Sequence, residues 1–269
     1  MENIKGVLPS KRKDGTEYYR ASITYRNKHI SLGSYDDAVS AGIAYAQASQ
    51  IISNPEITID KVISSLSHYE LDFEKAVCLI NFRDNNIYIA NPIYIMNKYF
   101  YYYLSSDKVL KFNADELFFY SSHKIMQRGG HLFYADFGNQ MSLLSRYGIR
   151  PHSVLGKDYL FKNGDIYDFR YVNIEILNKF YGVSKLKRRV KKSYKAVIHI
   201  KNNFTVGYYD NPVTAAIAFN KAADILKQKG YSKEYPRNDI SILGVTKLVY
   251  INTYNSVSIS DKIKNINFD

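Results

Sequence analysis

One segment of about fifty residues occurs twice in this chain, and the repeat restricts the fold more than any other feature. The first copy reads Gly6-Val7, Tyr19-Arg20-Ala21-Ser22-Ile23, Leu32-Gly33-Ser34-Tyr35-Asp36 and Ala41-Gly42-Ile43-Ala44-Tyr45. The second reads Gly182-Val183, Tyr194-Lys195-Ala196-Val197-Ile198, Val206-Gly207-Tyr208-Tyr209-Asp210 and Ala215-Ala216-Ile217-Ala218-Phe219. Gly33 and Gly207 stand 174 positions apart, and so do Tyr45 and Phe219. A constant spacing over the back half of both copies means that one supersecondary unit is used twice.

Each copy reads as short strands followed by a helix. Tyr19 to Tyr25 alternates around Ala21 and Ile23, and Asn27-Lys28 supplies a turn into His29-Ile30-Ser31-Leu32. Tyr194 to Ile200 alternates around Ala196, Ile198 and Ile200, with Asn202-Asn203 as the turn into Phe204-Thr205-Val206. Asp36 and Asn211 are suitable N-caps, and Pro212 fits a first helical turn. The inward helix faces are expected to be Ala38, Ala41, Tyr45, Ala48 and Ile52, and Ala215, Phe219, Ala222 and Leu226. An alanine-rich stripe lets a helix lie close on a small sheet. Each copy is therefore expected to be a three-stranded sheet backed by one helix.

This order of a Gly-Val opening, an aromatic-basic-Ala strand, a Leu/Val-Gly-x-Tyr-Asp turn and an alanine-rich helix resembles the AP2 DNA-binding domain. That family includes plant transcription factors and the DNA-anchoring modules of phage and bacterial HNH homing endonucleases. The resemblance implies a sheet that enters the major groove, with outward strand side chains reading bases and basic residues holding phosphates. Carried over by position, the outward candidates are Arg20, Ser22, Thr24, His29 and Ser31 in the first copy. In the second they are Lys195, Val197, His199, Asn203 and Thr205. Ser31 and Thr205 stand where the plant members place a groove-facing tryptophan, so the plant target sequence does not carry over.

Charge supports the same partner independently. The 269 residues hold 37 Lys and Arg against 25 Asp and Glu, a net charge of +12. An excess of this size favours an anionic polymer as partner. Between Glu175 and Asp210 no acidic residue interrupts Lys179, Lys185, Lys187, Arg188, Arg189, Lys191, Lys192, Lys195 and Lys201. The first copy has a smaller cluster, Lys11-Arg12-Lys13, joined by Arg20, Arg26 and Lys28. Crowded like charges repel one another and are relieved by external phosphate. The DNA-contacting candidates thus also include Lys11, Arg12, Lys13, Arg26, Lys187, Arg188, Arg189 and Lys192.

Between the copies the chain is rich in Tyr, Phe and Ile. Ala76 to Phe82 and Asn86 to Leu104 read as strands with Asp84-Asn85 as a hairpin turn, and Leu117 to Tyr120 and His131 to Tyr134 continue the pattern around Gly129-Gly130. Leu143 to Pro151 reads as a basic, proline-closed turn. Then come Phe161-Lys162-Asn163-Gly164-Asp165, Asp168-Phe169-Arg170 and Asn173-Ile174. This resembles the HNH homing-endonuclease motif, Asp-His-x-Asn-Gly-Asp followed by Asp-Asn-Arg and Asn-Leu, and its place before an AP2-like segment matches that family's order. Here Phe161 replaces the general-base histidine, Leu160 the preceding metal-ligand aspartate and Phe169 the middle asparagine; of the three name-giving positions only Asn173 survives. Phenylalanine neither accepts a proton nor binds a cation. The retained Asn163-Gly164-Asp165, Asp168 and Arg170 are expected to form turns and internal hydrogen bonds that keep a ββα shape.

The expected organisation is α+β: an AP2-like module over 1–55, a linker over 56–69, a degenerate HNH-like α+β domain over 70–178, a second AP2-like module over 179–230 and an extension over 231–269. The extension, from Gly244 onward, is expected to pack as a strand and short helix. The six histidines show no zinc-like spacing, so no metal ligand and no cofactor is assigned, and Cys78 reads as a buried structural thiol. The opening residues carry no apolar run of a secretion signal, and Ile87 to Leu104 is interrupted by Asn91, Pro92, Asn97 and Lys98. The expectation is a cytoplasmic, nucleoid-associated bacterial regulator that binds double-stranded DNA, has no membrane partner, is not an enzyme, and has a homodimer as an option. Lys, Asn, Ile and Tyr richness hints at an AT-rich genome. Two other classes compete: a metal-dependent endonuclease using displaced ligands such as His152, Asp158 or Asp165, and an RNA-binding or protein-interaction module using exposed Tyr and Phe.

Overall fold

The computed structural model describes residues 4–151, 153–186, 192–241 and 244–267. The chain has an α+β fold and divides into two compact units, 1–175 and 176–269.

In the first unit, β1 (Val7–Lys11), β2 (Glu17–Tyr25) and β3 (Lys28–Tyr35) form an antiparallel sheet in that order. The hairpin turn is Arg26-Asn27, one residue earlier than expected, because both adopt positive φ (48° and 63°), as a two-residue hairpin matching strand twist requires. Helix α1 (Ala38–Ser53) lies on the sheet. Its N-cap is Asp37, whose carboxylate accepts from the Ser40 amide at 2.8 Å; the expected cap, Asp36, instead pairs with Arg12. The buried stripe is Ala41, Ala44, Ala48 and Ile51, so Ala38, Tyr45 and Ile52 flank it rather than form its centre.

The segment expected as a linker is structured. It carries α2 (Ile59–Ser64) and a short 3-10 turn over Leu66–His68, with Ile59 and Val62 in the same core as the first sheet. Ala76 to Phe82 is not a strand but the centre of α3 (Phe73–Asn85), capped by Asp72 and ended by Asn86 in the left-handed region. Its seven consecutive buried residues explain the misreading: a helix covered on all sides loses its 3.6 period. The Arg83 guanidinium donates to the carbonyls of Ile51, Asn54 and Ile57 at 2.8–3.0 Å, tying α3 to the end of α1.

Beyond α3, β4 (Ile93–Ile95), β5 (Tyr99–Tyr103) and β6 (Val109–Asn113) make a second antiparallel sheet. Leu117 to Tyr120, expected as a strand, belongs to α4 (Leu117–Ser122). A third sheet joins β7 (Ile125–Arg128), β8 (His131–Asp136) and β9 (Asn139–Ser142), with Gly129-Gly130 as the turn foreseen. The basic segment that follows is a 3-10 helix, Leu143–Tyr147. Strands β10 (Tyr159–Phe161) and β11 (Ile174–Ile176) pair as a two-stranded sheet. Phe100, Phe112, Tyr120, Tyr147 and Phe169 pack ring to ring at 4.2–6.1 Å, which explains the aromatic excess here.

The second unit repeats the opening design. β12 (Val183–Lys185), β13 (Tyr194–His199) and β14 (Asn203–Tyr209) form an antiparallel sheet backed by α5 (Pro212–Gln228). Asn211 caps α5 with its side chain 2.8 Å from the Thr214 amide, and Ala215, Phe219, Ala222 and Leu226 are all buried as expected. The turn between β13 and β14 is Ile200–Asn202, placed there because Ile200 is buried and His199 pairs with Asn203. The described part of the extension holds two helices, α6 (Lys247–Ser256) and α7 (Asp261–Lys264), and no strand. Ile240, Val257, Ile259 and Ile263 complete the core around α5. An amide clasp fixes the approach: Asn220 donates to the Asn238 carbonyl and accepts from its amide, each at 3.0 Å.

Candidate nucleic-acid interface

The helix-free faces of the two outer sheets carry every expected base-reading side chain among the described residues. In the first, cross-strand pairing places Arg20 beside Ser34, Ser22 beside Ser31 and Thr24 beside His29. In the second it places Lys195 beside Tyr208, Val197 beside Thr205 and His199 beside Asn203. Both ladders slip at the same point, between Ala21 and Ser22 and between Ala196 and Val197. A bulge there adds twist, and both sheets receive it identically. Arg20, Thr24, His29, Ser31, His199 and Asn203 are exposed, while Ser22, Lys195, Val197 and Thr205 are half-buried. The His199 Nδ1 and Asn203 Oδ1 atoms lie 3.0 Å apart, so these two side chains orient each other. Ser34 and Tyr208 were absent from the sequence expectation although they share the 174-residue spacing that would have found them.

The basic candidates divide by what they already touch. Lys13 and Arg20 are exposed and make no ion pair among the described residues. Lys11 lies 3.5 Å from Glu17, and Arg12 donates to Asp36 at 2.9 Å while facing the Tyr18 ring. Both pairs are exposed and are worth little in water, so an incoming phosphate can compete for either cation. Arg26 differs. It donates to the Phe82 carbonyl at 3.1 Å and to the Asn86 side chain, and stacks over Tyr25, so its guanidinium serves chiefly to latch the hairpin to the end of α3. Lys192 is exposed beside the second sheet, and the Lys195 ammonium lies 5.9 Å from the Tyr208 ring. Lys187, Arg188 and Arg189 lie outside the described residues.

A groove of about 1110 Å³ runs along β14, walled on its far side by the extension. Lys192, Thr205, Tyr208, Ser258, Lys262 and Lys264 are among its lining residues. The Ser260 amide donates to the Val206 carbonyl at 2.8 Å and the Tyr209 hydroxyl to the Ser258 carbonyl at 2.9 Å, which hold this wall against the strand. Sequence reasoning missed the groove because its two sides lie some fifty positions apart, a separation no local pattern reveals.

The HNH-like residues form a closed hydrogen-bond cluster. Asn163 donates to Asp168 at 3.0 Å and accepts from the Asp165 amide at 2.9 Å; Asn173 accepts from the Asn163 amide at 2.8 Å and donates to the Asp168 carbonyl at 2.8 Å. Arg170 grips the buried Asp168 carboxylate through two bonds, at 2.9 and 2.6 Å. Turn forming and internal bonding are therefore as expected, but the ββα shape is not. Two short strands are present and no α-helix follows β11 before β12. Phe161 and Phe169 face each other edge to ring in the aromatic core rather than toward a cleft. Asp158 accepts from the Val154 amide and Asp165 from the Tyr167 amide, while His152 lies outside the described residues. Among the described residues no group of three or more His, Cys, Asp or Glu side chains converges to hold a metal ion.

Asp168 gives a pH-dependent prediction. Desolvation raises its pKa, but hydrogen bonds from Arg170 and Asn163 outweigh that, leaving it below the ordinary 3.8. A lowered folded-state value means that its stabilisation is complete above about pH 4 and fades as pH falls through the lowered value. Asp168→Ala is expected to lose about 3 kcal/mol at pH 7, leaving Arg170 without its partner, and much less at pH 2.5. Urea denaturation at the two pH values measures the difference; equal losses would contradict it.

The remaining chemistry is structural. Cys78 is buried on α3 rather than a strand, its thiol pushed up to about 12 by burial. His123 stacks on Phe119 at 4.0 Å. No helix among the described residues is long and apolar enough to cross a membrane. Compared with family models, curated proteins and solved structures, the chain matches none of them.

Proposed function

We propose that this chain is a sequence-specific double-stranded-DNA-binding protein, a bacterial transcriptional regulator of HNH–AP2 endonuclease ancestry whose central segment no longer catalyses strand cleavage. The observation that carries the reading is the pair of outer sheets. Each covers one face with an alanine-rich helix and leaves on the other a cross-strand array of cationic and hydrogen-bonding side chains. A twisted antiparallel ribbon of this kind fits the major groove, where such side chains reach base edges. Lys11, Lys13, Lys192 and the basic run before β13 would hold phosphates and set the register. The groove beside β14, with its lysines, would accept the neighbouring sugar-phosphate strand. Two linked sheets allow each to raise the effective concentration of the other at adjoining half-sites. A chain acting in this way works in the cytoplasm at the nucleoid; a homodimer would add further sheets.

Selection of bound duplexes from a random library, run in parallel with Mg²⁺ and with chelator, tests this reading. The expected result is a defined bipartite motif, uncut and the same in both arms. Fragments produced only with metal would replace it by the endonuclease reading. Capture of single-stranded RNA in preference to duplex would replace it by the RNA-binding one.

A further inference from the structure

The two copies keep the apolar character of one face, where Ile30 becomes Phe204, Leu32 becomes Val206 and Tyr45 becomes Phe219, and change the chemistry of the other. On the helix-covered face, Val7 and Val183, Ala21 and Ala196, Ile23 and Ile198, and Gly33 and Gly207 correspond as identical residues. So do Ala41 and Ala215, Ala44 and Ala218, and Ala48 and Ala222 on the helices. On the open face the three equivalent cross-strand pairs hold six positions in each sheet, and not one is occupied by the same residue in both. Arg20·Ser34 becomes Lys195·Tyr208, Ser22·Ser31 becomes Val197·Thr205, and Thr24·His29 becomes His199·Asn203. The ladder positions and the bulge are unchanged, so the replacements alter chemistry at fixed places. Two modules reading a palindrome or a direct repeat would need the same side chains at those places.

We infer that the two sheets read different half-sites of an asymmetric target, the first centred on guanine and the second on A·T pairs. This rests on the DNA-binding reading. On the first face Arg20 is exposed and makes no ion pair among the described residues, with the short Ser34 beside it on β3 and Leu8 beside it on β1. A guanidinium fork matches the O6 and N7 acceptors of guanine. On the second face that position is Lys195, held near the Tyr208 ring, and the centre is Val197 against Thr205. Their methyl groups form an apolar spot on an otherwise polar surface, which suits the C5-methyl of thymine and no other major-groove group. Asn203 stands next to it. With the His199 Nδ1 proton directed at Oδ1, its amide nitrogen is free to donate, and the second lone pair on Oδ1 still accepts. That is the bidentate pattern for adenine N7 and N6.

The test uses the full chain, its selected duplex, and the variant Val197→Ser/Thr205→Ser, which gives the second sheet the Ser·Ser pair of the first. The substituted positions are half-buried on the open face, and circular dichroism checks that the fold is retained. Two unlike half-site motifs are expected, one containing guanine and the other thymine and adenine. Replacing a contacted thymine by uracil removes one methyl group and is expected to weaken wild-type binding about fourfold. The same replacement should leave the double variant's affinity unchanged. Identical half-sites, or equal uracil effects on both proteins, would overturn the inference while leaving duplex binding intact. Failure of the wild type to select any duplex would instead overturn the DNA-binding reading itself.

Discussion

Gly182→Ala is expected to destabilise the second unit by about 2–5 kcal/mol, enough to remove much of the stability of an ordinary domain. Gly182 has φ +69°, a region in which a side chain is strained. A Cβ there would run into the Phe219 ring and lie 2.6 Å from the Val197 carbonyl oxygen. Neither neighbour can retreat easily. Phe219 is the buried centre of α5, and the Val197 amide donates to the Gly182 carbonyl at 2.7 Å to open the sheet. The first copy repeats the arrangement with Gly6 at φ +76°, the Tyr45 ring and the Ser22 carbonyl, so Gly6→Ala should act alike on the first unit. Gly129→Ala is the control: its φ is also positive, but its Cβ would meet nothing within 4 Å, so only about 1 kcal/mol is expected. Urea unfolding of the three variants compares them. A Gly182→Ala loss no greater than that of Gly129→Ala would contradict the close approach of helix to sheet.

Arg20→Glu combined with Lys195→Glu is expected to weaken duplex binding by at least about 100-fold. Each cation occupies the same rung of its sheet, beside Ser34 and Tyr208 respectively. Neither joins a hydrophobic core, so unfolding curves should stay close to those of the unmodified protein. Lys61→Glu reverses a charge on α2, which belongs to neither outer sheet, and should change affinity by less than twofold at physiological salt. Equal effects of the double reversal and of Lys61→Glu would mean that charge alone, and not the sheets, attracts the nucleic acid.

The repeat made the outer sheets legible because their alternation has one dry face and one wet face. Ala21, Ile23, Ala196 and Ile198 marked the inside, and the outward residues followed by alternation. The cap of α1 fell one residue from the expected place, although Asp37 lies 174 positions before Asn211, so the repeat itself held the answer. Helix α3 escaped because burial on all sides removes the contrast on which periodicity depends. The extension escaped for a different reason: Ile240, Val257, Ile259 and Ile263 are scattered apolar residues whose destination is set by tertiary packing on α5. Asn163, Asp168 and Arg170 read as turn and hydrogen-bond formers, but the helix expected after them depended on resemblance, and no helical pattern in 174–182 supplied it.

The most direct measurement is the affinity of the purified chain for a labelled duplex, titrated from 50 to 300 mM salt with single-stranded RNA as competitor. The account predicts saturable duplex binding that falls steeply with salt, with a log–log slope of about −5 or steeper, and that RNA displaces poorly. Binding that ignores salt, or that RNA removes as readily as duplex does, would contradict it.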